Sequence, residues 1–233
     1  LNTIAAEAFK EAADILEKAA DFDTAVHDMI KEQLAAHRRI IFNGNGYADA
    51  WVEEAEMRGL PNIKSMVEAI PALTTEASVR MFEAFNVFTK AELESRVEIE
   101  YEAYSKAINI EARTMIDMAG KQIIPAAVKY ATMLADSLSK VQTACPDADV
   151  SVQAELLTET SAYLSDMKVA LANLTDVTEK CGIIENNKEQ ANAYHDIVVP
   201  AMEALRAPAD KLEMMVDKEL WPMPSYGDLI FEV

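Results

Sequence analysis

Residues 89–143, TKAELESRVEIEYEAYSKAINIEARTMIDMAGKQIIPAAVKYATMLADSLSKVQT, decide the fold. Their start is marked twice. Thr89 and Glu92 have capping-box spacing: the Thr hydroxyl can accept from the third helical amide, and the Glu can reach back to the cap. Phe88 and Leu93 flank that cap where a hydrophobic staple forms. Apolar or small residues then recur at Val97, Tyr101, Tyr104, Ile108, Ala112, Met115, Ala119, Ile123, Ala127, Tyr130, Leu134, Leu138 and Val141. Steps of three and four residues put them on one helical stripe. The pattern predicts a helix of about 55 residues, roughly 80 Å long. That is too long for the interior of one compact domain, so the helix must project or run along the face of an assembly. Gly120 and Pro125 fall mid-run. Pro125 lacks an amide and opposes the carbonyl four residues earlier, which predicts a bend and not a stop.

The chain downstream repeats the helical theme. Cys145-Pro146-Asp147 is a turn, with Asp147 available as a cap. Residues 151–181 carry a heptad seam, Leu157, Leu164, Leu171 and Thr178 in one row and Thr160, Met167, Leu174 and Cys181 in the other. Gly182 ends that helix, and Asn187 with Gln190 reads as a weak cap pair for the next. The third seam is Ala191, Val198, Leu205 and Leu212 with Tyr194, Ala201 and Met215. Short links between long amphipathic helices imply antiparallel neighbours. Ile123-Ile124-Pro125-Ala126 and Val198-Val199-Pro200-Ala201 echo each other, which suggests two Pro bends at matching heights. Pro222 and Pro224 forbid helix beyond residue 220. The apolar set Trp221, Met223, Tyr226, Leu229, Ile230 and Phe231 predicts an extended tail that docks on this subunit or a neighbour.

Upstream, residues 1–20 read as an amphipathic helix. A second follows a break at Asp21-Phe22-Asp23, capped by Asp23 or Thr24 and running to about Arg39. Ile40-Ile41-Phe42 can be helix end or extended. Asn43-Gly44-Asn45-Gly46 is a tight turn of residues that tolerate positive φ. A phosphate-cradling loop is disfavoured there, because no Gly-Lys-Ser/Thr follows. A helix over residues 48–58 ends at Gly59, with Pro61 beyond. A short helix breaks at Pro71, and residues 75–85 form another. The fold class is mostly α: a long antiparallel helical bundle, a shorter helical N-terminal part and an extended C-terminal tail.

Composition agrees. Hydrophobic residues make up 51% of the 233, with 6 Gly and 8 Pro, which favours helix over sheet. No apolar run approaches the roughly 18 residues of a membrane span. No signal peptide is visible, and a chain that starts at Leu reads as a fragment or processed product. Forty acidic residues against 21 basic leave a net charge of −19, which disfavours nucleic acid as a partner and suits a cytoplasmic protein. The densest basic spot is His37-Arg38-Arg39. Cys145 and Cys181 fall at opposite ends of one helix, roughly 50 Å apart. A disulfide needs Cα atoms within about 7 Å, so both are expected as free thiols.

Chemistry is harder to find. His27, His37 and His195 are not spaced as helical metal ligands. The acidic run Glu92, Glu94, Glu98, Glu100 and Glu102 lacks the inward Glu-x-x-His of a bundle metal site and reads as a solvated face. No Ser, Thr or Cys has a His and acidic partner placed to activate it. Catalytic, cofactor-binding and metal residues are therefore expected to be none. The residues singled out are turn or docking candidates: Asn43, Gly44, Asn45, Gly46, Pro125, Pro200, Trp221, Tyr226 and Phe231.

Several segments, kept in order along the chain, resemble the C-terminal part of type III glutamine synthetases. They are Arg39-Ile-Ile-Phe-Asn-Gly-Asn-Gly-Tyr47, Trp51-Val-Glu-Glu-Ala-Glu56, Arg58-Gly-Leu-Pro-Asn62, Ile108-Asn-Ile-Glu-Ala112, Thr114-Met-Ile-Asp-Met-Ala119, Gln122-Ile-Ile-Pro-Ala126, Trp221-Pro222 and Tyr226-Gly-Asp-Leu229. The resemblance implies a glutamate–ammonia ligase that uses ATP and divalent Mg or Mn in its full-length form. It also places this chain downstream of the catalytic machinery, so none of the family's metal or ATP residues maps onto it, and the fragment alone is expected to be inactive. On that reading, residues 1–42 are closing helices of a catalytic domain and 43–88 a turn-rich region. Residues 89–219 are the bundle and 220–233 a docking tail. The implied partners are the upstream catalytic domain and further copies of the chain in a homo-oligomer, with neither nucleic acid nor membrane. A free-standing helical interaction scaffold is the alternative; a lipid-surface helix fits less well, because it favours a Lys/Arg-rich polar face.

Overall fold

A computed structural model describes residues 1–231. Among them there are helices and turns but no strand. The chain divides into two compact units, Leu1–Glu100 and the residues from Tyr101 onward.

The first unit opens with α1 (Asn2–Leu16) and α2 (Phe22–Ala36). The α2 cap is Asp21, two residues before the earliest expected one: its carboxylate accepts from the Thr24 amide and hydroxyl. A 3-10 turn, Arg38–Ile40, follows, and Ile41 is extended. Next come α3 (Asp49–Met57), α4 (Met66–Ala69), a 3-10 turn at Ile70–Thr74 and α5 (Glu76–Ala84). The short helix α4 does end just before Pro71, which stands at the start of the 3-10 turn, where no amide is needed. Gly59 ends α3 at φ 68°, with Leu60 donating to Ala55 and Gly59 to Glu56, the paired bonds of a Schellman motif. Asn86 ends α5 in the same way at φ 52°. The core of this unit is small: Val67, Ile70, Met81 and Leu93.

Helix α6 (Lys90–Met118) starts where the capping box placed it. Glu92 accepts from the Thr89 amide at 2.7 Å, and Thr89 Oγ1 accepts from the Glu92 amide at 3.3 Å. Leu93 is buried, while the Phe88 ring meets Phe82 at 5.5 Å and carries the Arg96 guanidinium at 4.2 Å. The helix then runs through a π turn, Ala119–Ile123, into α7 (Ile124–Ala144) without stopping.

In the second unit α8 (Ser151–Gly182) packs against α7 on one side and α10 (Val199–Glu213) on the other. The links at 145–150 and 183–186 are short, so neighbours run antiparallel. The seam residues Thr160, Met167, Leu171, Leu174, Thr178 and Cys181 are all buried, as are Ala191, Tyr194, Val198, Ala201, Leu205 and Leu212. Each fully buried Leu or Met here contributes about 1.5–3 kcal/mol against exposure. The α8 entry is tied by Asp149, not Asp147: its carboxylate accepts from the Ser151 amide. The cap of α9 (Asn187–Ala193) is Asn186, one residue before the expected pair, and it accepts from the Glu189 amide.

The tail differs from expectation. Helix α10 ends at Glu213, well before Pro222 and Pro224, and the stretch that holds the prolines is not helical, but α11 (Tyr226–Phe231) follows at once. Ser225 and Asp228 make a second capping box: Ser225 Oγ accepts from the Asp228 amide, and the Asp228 carboxylate accepts from the Ser225 amide. Proline bars helix before this cap and not after it.

Candidate functional site

The turn at Asn43–Gly46 sits inside a local clamp. The Phe42 ring stacks on Trp51, centroids 4.2 Å apart and planes 25° from parallel. The Arg58 guanidinium lies over the same indole, 5.4 Å from the Trp51 centroid. Its Nη1 donates to the carbonyls of Arg39 at 3.1 Å and Ile41 at 2.9 Å, and its Nη2 pairs with Glu54. One guanidinium thus joins α3 to the exit of the 3-10 turn. No residue from Asn43 to Gly46 has positive φ. The turn is closed instead by Asn45, whose side-chain oxygen accepts from the Tyr47 amide, and by the Ala48 amide on the Asn45 carbonyl. Gly44 matters for a different reason: a Cβ there would lie 2.5 Å from the tip of the Phe42 ring, which would have to move.

Pro125 and Pro200 occupy equivalent local positions. Each follows a five-residue π turn, Ala119–Ile123 or Tyr194–Val198. In each, the residue before the Pro donates five residues back, Ile124 to Ala119 and Val199 to Tyr194. The Pro then stands in the opening turn of the next α-segment, where its missing amide costs least. The sequence echo therefore marks a repeated backbone device.

Trp221 and Leu220 pack against the bundle core, and the indole N–H donates to Glu213 at 3.2 Å. Tyr226 and Phe231 lie on α11 and are 85% and 80% exposed. Lys218 pairs with Asp228 at 2.9 Å and holds this helix to the end of the bundle. That ion pair and the Ser225 bonds hold the Asp228 carboxyl well below the usual carboxylate range.

Among the described residues there is no group of three or more His, Cys, Asp or Glu that could hold a metal ion, so the side chains present do not fit one. Glu92 is spent on its cap, Glu94 pairs with Lys90 at 3.7 Å and Glu102 with Lys106 at 2.6 Å. His27 Nδ1 meets Asp28 at 3.3 Å and His195 Nδ1 meets Asp196 at 2.7 Å, each the Asp that follows in sequence. Cys145 is exposed and Cys181 buried, both as free thiols; burial pushes the Cys181 thiol up, which keeps it protonated and unreactive. Tyr101 is core, and no described helix is long and apolar enough to cross a membrane.

Two side chains make long-range contacts that their sequence positions do not encode. Arg58 looked like a helix-end residue. Gln190 was read as half of a cap for α9, yet its amide donates to the carbonyls of Cys181, Gly182 and Ile184 and closes the C-terminus of α8.

Comparison with known proteins agrees with the segments quoted above. The family model for the glutamine synthetase C-terminal domain matches residues 25–142. The chain is 34% identical to a glutamine synthetase of Bacteroides fragilis (strain YCH46) over 96% of its own length and 31% of the relative's. It is 34% identical to one from Butyrivibrio fibrisolvens over 89% of the chain and 30% of the relative. A type-3 glutamine synthetase of Dictyostelium discoideum is 30% identical over 99% of the chain and 32% of that protein. The chain therefore spans about a third of the length of these relatives, and it belongs to the glutamine synthetase C-terminal domain family.

Proposed function

We propose that this chain works as the helical C-terminal part of a longer, cytoplasmic glutamate–ammonia ligase. In it, residues 1–42 close the catalytic domain, and the bundle and tail contribute contacts between subunits. The ATP and divalent metal of that reaction are bound upstream of Leu1, and the chain by itself makes no glutamine. The observation that carries this reading is the state of α1 and α2. Neither helix holds a single buried residue, yet Ile4, Phe9, Ile15, Phe22, Ile30 and Leu34 are each about half exposed or more. Apolar residues at helical spacing on two packed helices call for a cover. The chain's coverage of only a third of its relatives supplies a candidate, the catalytic domain of the same polypeptide. The free thiols suit a reducing compartment.

Glutamine formation from glutamate, ammonia and ATP tests this. The natural full-length protein should be active and the 233-residue chain silent. A Phe9→Ser, Leu34→Ser double variant of the full-length protein should lose activity through impaired docking. Turnover by the isolated chain would refute the assignment of chemistry upstream.

A further inference from the structure

The strongest basic feature of this acidic chain lies beside the clamp, and the ligase reading does not use it. Arg38, Arg39 and Arg58, with Ile41 and Asn43, line an open cavity of about 640 Å³. Three arginines lining one cavity are unexpected in a protein of net charge −19. Arg58 is the strut. Its donors to the Arg39 and Ile41 carbonyls, and its pairing with Glu54, fix the backbone that carries the other two. Arg38 and Arg39 are exposed, and neither has a carboxylate partner within ion-pair distance among the described residues. The 3-10 turn that carries them, Arg38–Ile40, is closed by Ile40 donating to His37 and Ile41 to Arg38. Asn43 adds a neutral side-chain amide to the wall.

We propose that this cavity binds a phosphate-type oxyanion, with Arg38 and Arg39 as its ligands and Arg58 as the residue that positions them. Guanidinium is suited to this class: its planar fork donates two parallel bonds to adjacent oxygens of one phosphate. A single lysine offers charge without that fork. The surrounding negative field opposes the approach of any anion, so binding depends on these directed donors and not on general attraction.

Calorimetric titration of the full chain with inorganic pyrophosphate at near-physiological salt tests the site. One saturable site is expected. The Arg38→Ala, Arg39→Ala double variant should bind roughly tenfold or more weakly, since charge-assisted hydrogen bonds are lost at both positions. The Arg38→Lys, Arg39→Lys variant should fall between the two, keeping charge and losing the fork. Lys129→Ala, an exposed cation elsewhere, should bind as the parent does. Both arginines are exposed, so these variants should keep their helical circular dichroism and thermal midpoint. Absence of saturable binding would overturn the proposal, as would equal affinity in the double alanine variant. Self-association of the chain that the alanine variant lacks and pyrophosphate leaves unchanged would also overturn it, by assigning the arginines to the acidic surface of a second copy.

Discussion

Gln190 closes the end of a helix that it does not belong to, and replacing it separates hydrogen bonding from packing. Its side-chain amide lies 3.0 Å from the Ile184 carbonyl, 3.3 Å from Cys181 and 3.4 Å from Gly182. Two amide protons serve three acceptors, so one is shared between the longer contacts. A neutral bond of good geometry contributes about 0.5–1.5 kcal/mol net. Gln190→Ala should therefore destabilise the bundle by about 1–2 kcal/mol, one full bond plus a shared one. Gln190→Glu should be worse at neutral pH: it presents a carboxylate to carbonyl oxygens at the negative end of the α8 dipole, adding about 0.3–1 kcal/mol. The pH dependence has a definite sign. Those carbonyls favour the protonated acid, so the folded state raises the introduced carboxyl's pKa and binds more protons than the unfolded chain. Stability of the Glu variant then rises as pH falls through that pKa, because a protonated Glu can donate again. Urea unfolding in a Trp51→Phe background leaves Trp221 as the reporter of the bundle. Midpoints should rank parent, Ala, Glu at neutral pH with unchanged slopes. A Glu variant as stable as the parent at neutral pH would refute the cap.

Other outcomes follow from single contacts. Thr178 Oγ1 is buried without a hydrogen-bond partner, so Thr178→Val should raise the bundle's stability by about 1 kcal/mol in the same urea assay. Gly44→Ala should push the Phe42 ring off Trp51, read as a change in Trp51 fluorescence, whereas Gly46→Ala meets no atom within 4 Å and should leave it unchanged. Gly59→Ala should cost about 1 kcal/mol from its left-handed φ, measured by thermal unfolding. Asp228 has a depressed folded pKa, so the stability it lends α11 is present above the unfolded carboxylate value and is lost only as pH falls through the lower folded one. Carboxyl carbon shifts in an NMR titration should show Asp228 still ionised where exposed carboxylates have protonated, and Lys218→Met should move its titration upward.

The bundle was legible because burial there repeats. From Thr160 to Cys181 the seam positions read at steps of three and four are buried, Leu164 in part and the others fully, since a straight helix has no other way to hide an apolar stripe. Single-residue signals were less secure. Asn186 and Asn187 are both plausible caps by composition, and only the backbone decides between them. The α11 cap was hidden behind two prolines that carry the stronger local signal. The π turns have no periodic signature, because one extra residue shifts the apolar stripe by less than a turn. Their one trace was the repeated pair of β-branched residues followed by Pro and Ala, which showed where the backbone changes and not how. The clamp could not be read at all: Arg58 acts through carbonyls 17 and 19 residues away, a contact no local spacing encodes.

The intact mass of the natural gene product, taken from its source, bears most directly on the central claim. A polypeptide roughly three times 25.7 kDa, in proportion to the third of each relative that this chain covers, is the predicted result. A natural product near 25.7 kDa would contradict it and leave a free-standing helical scaffold.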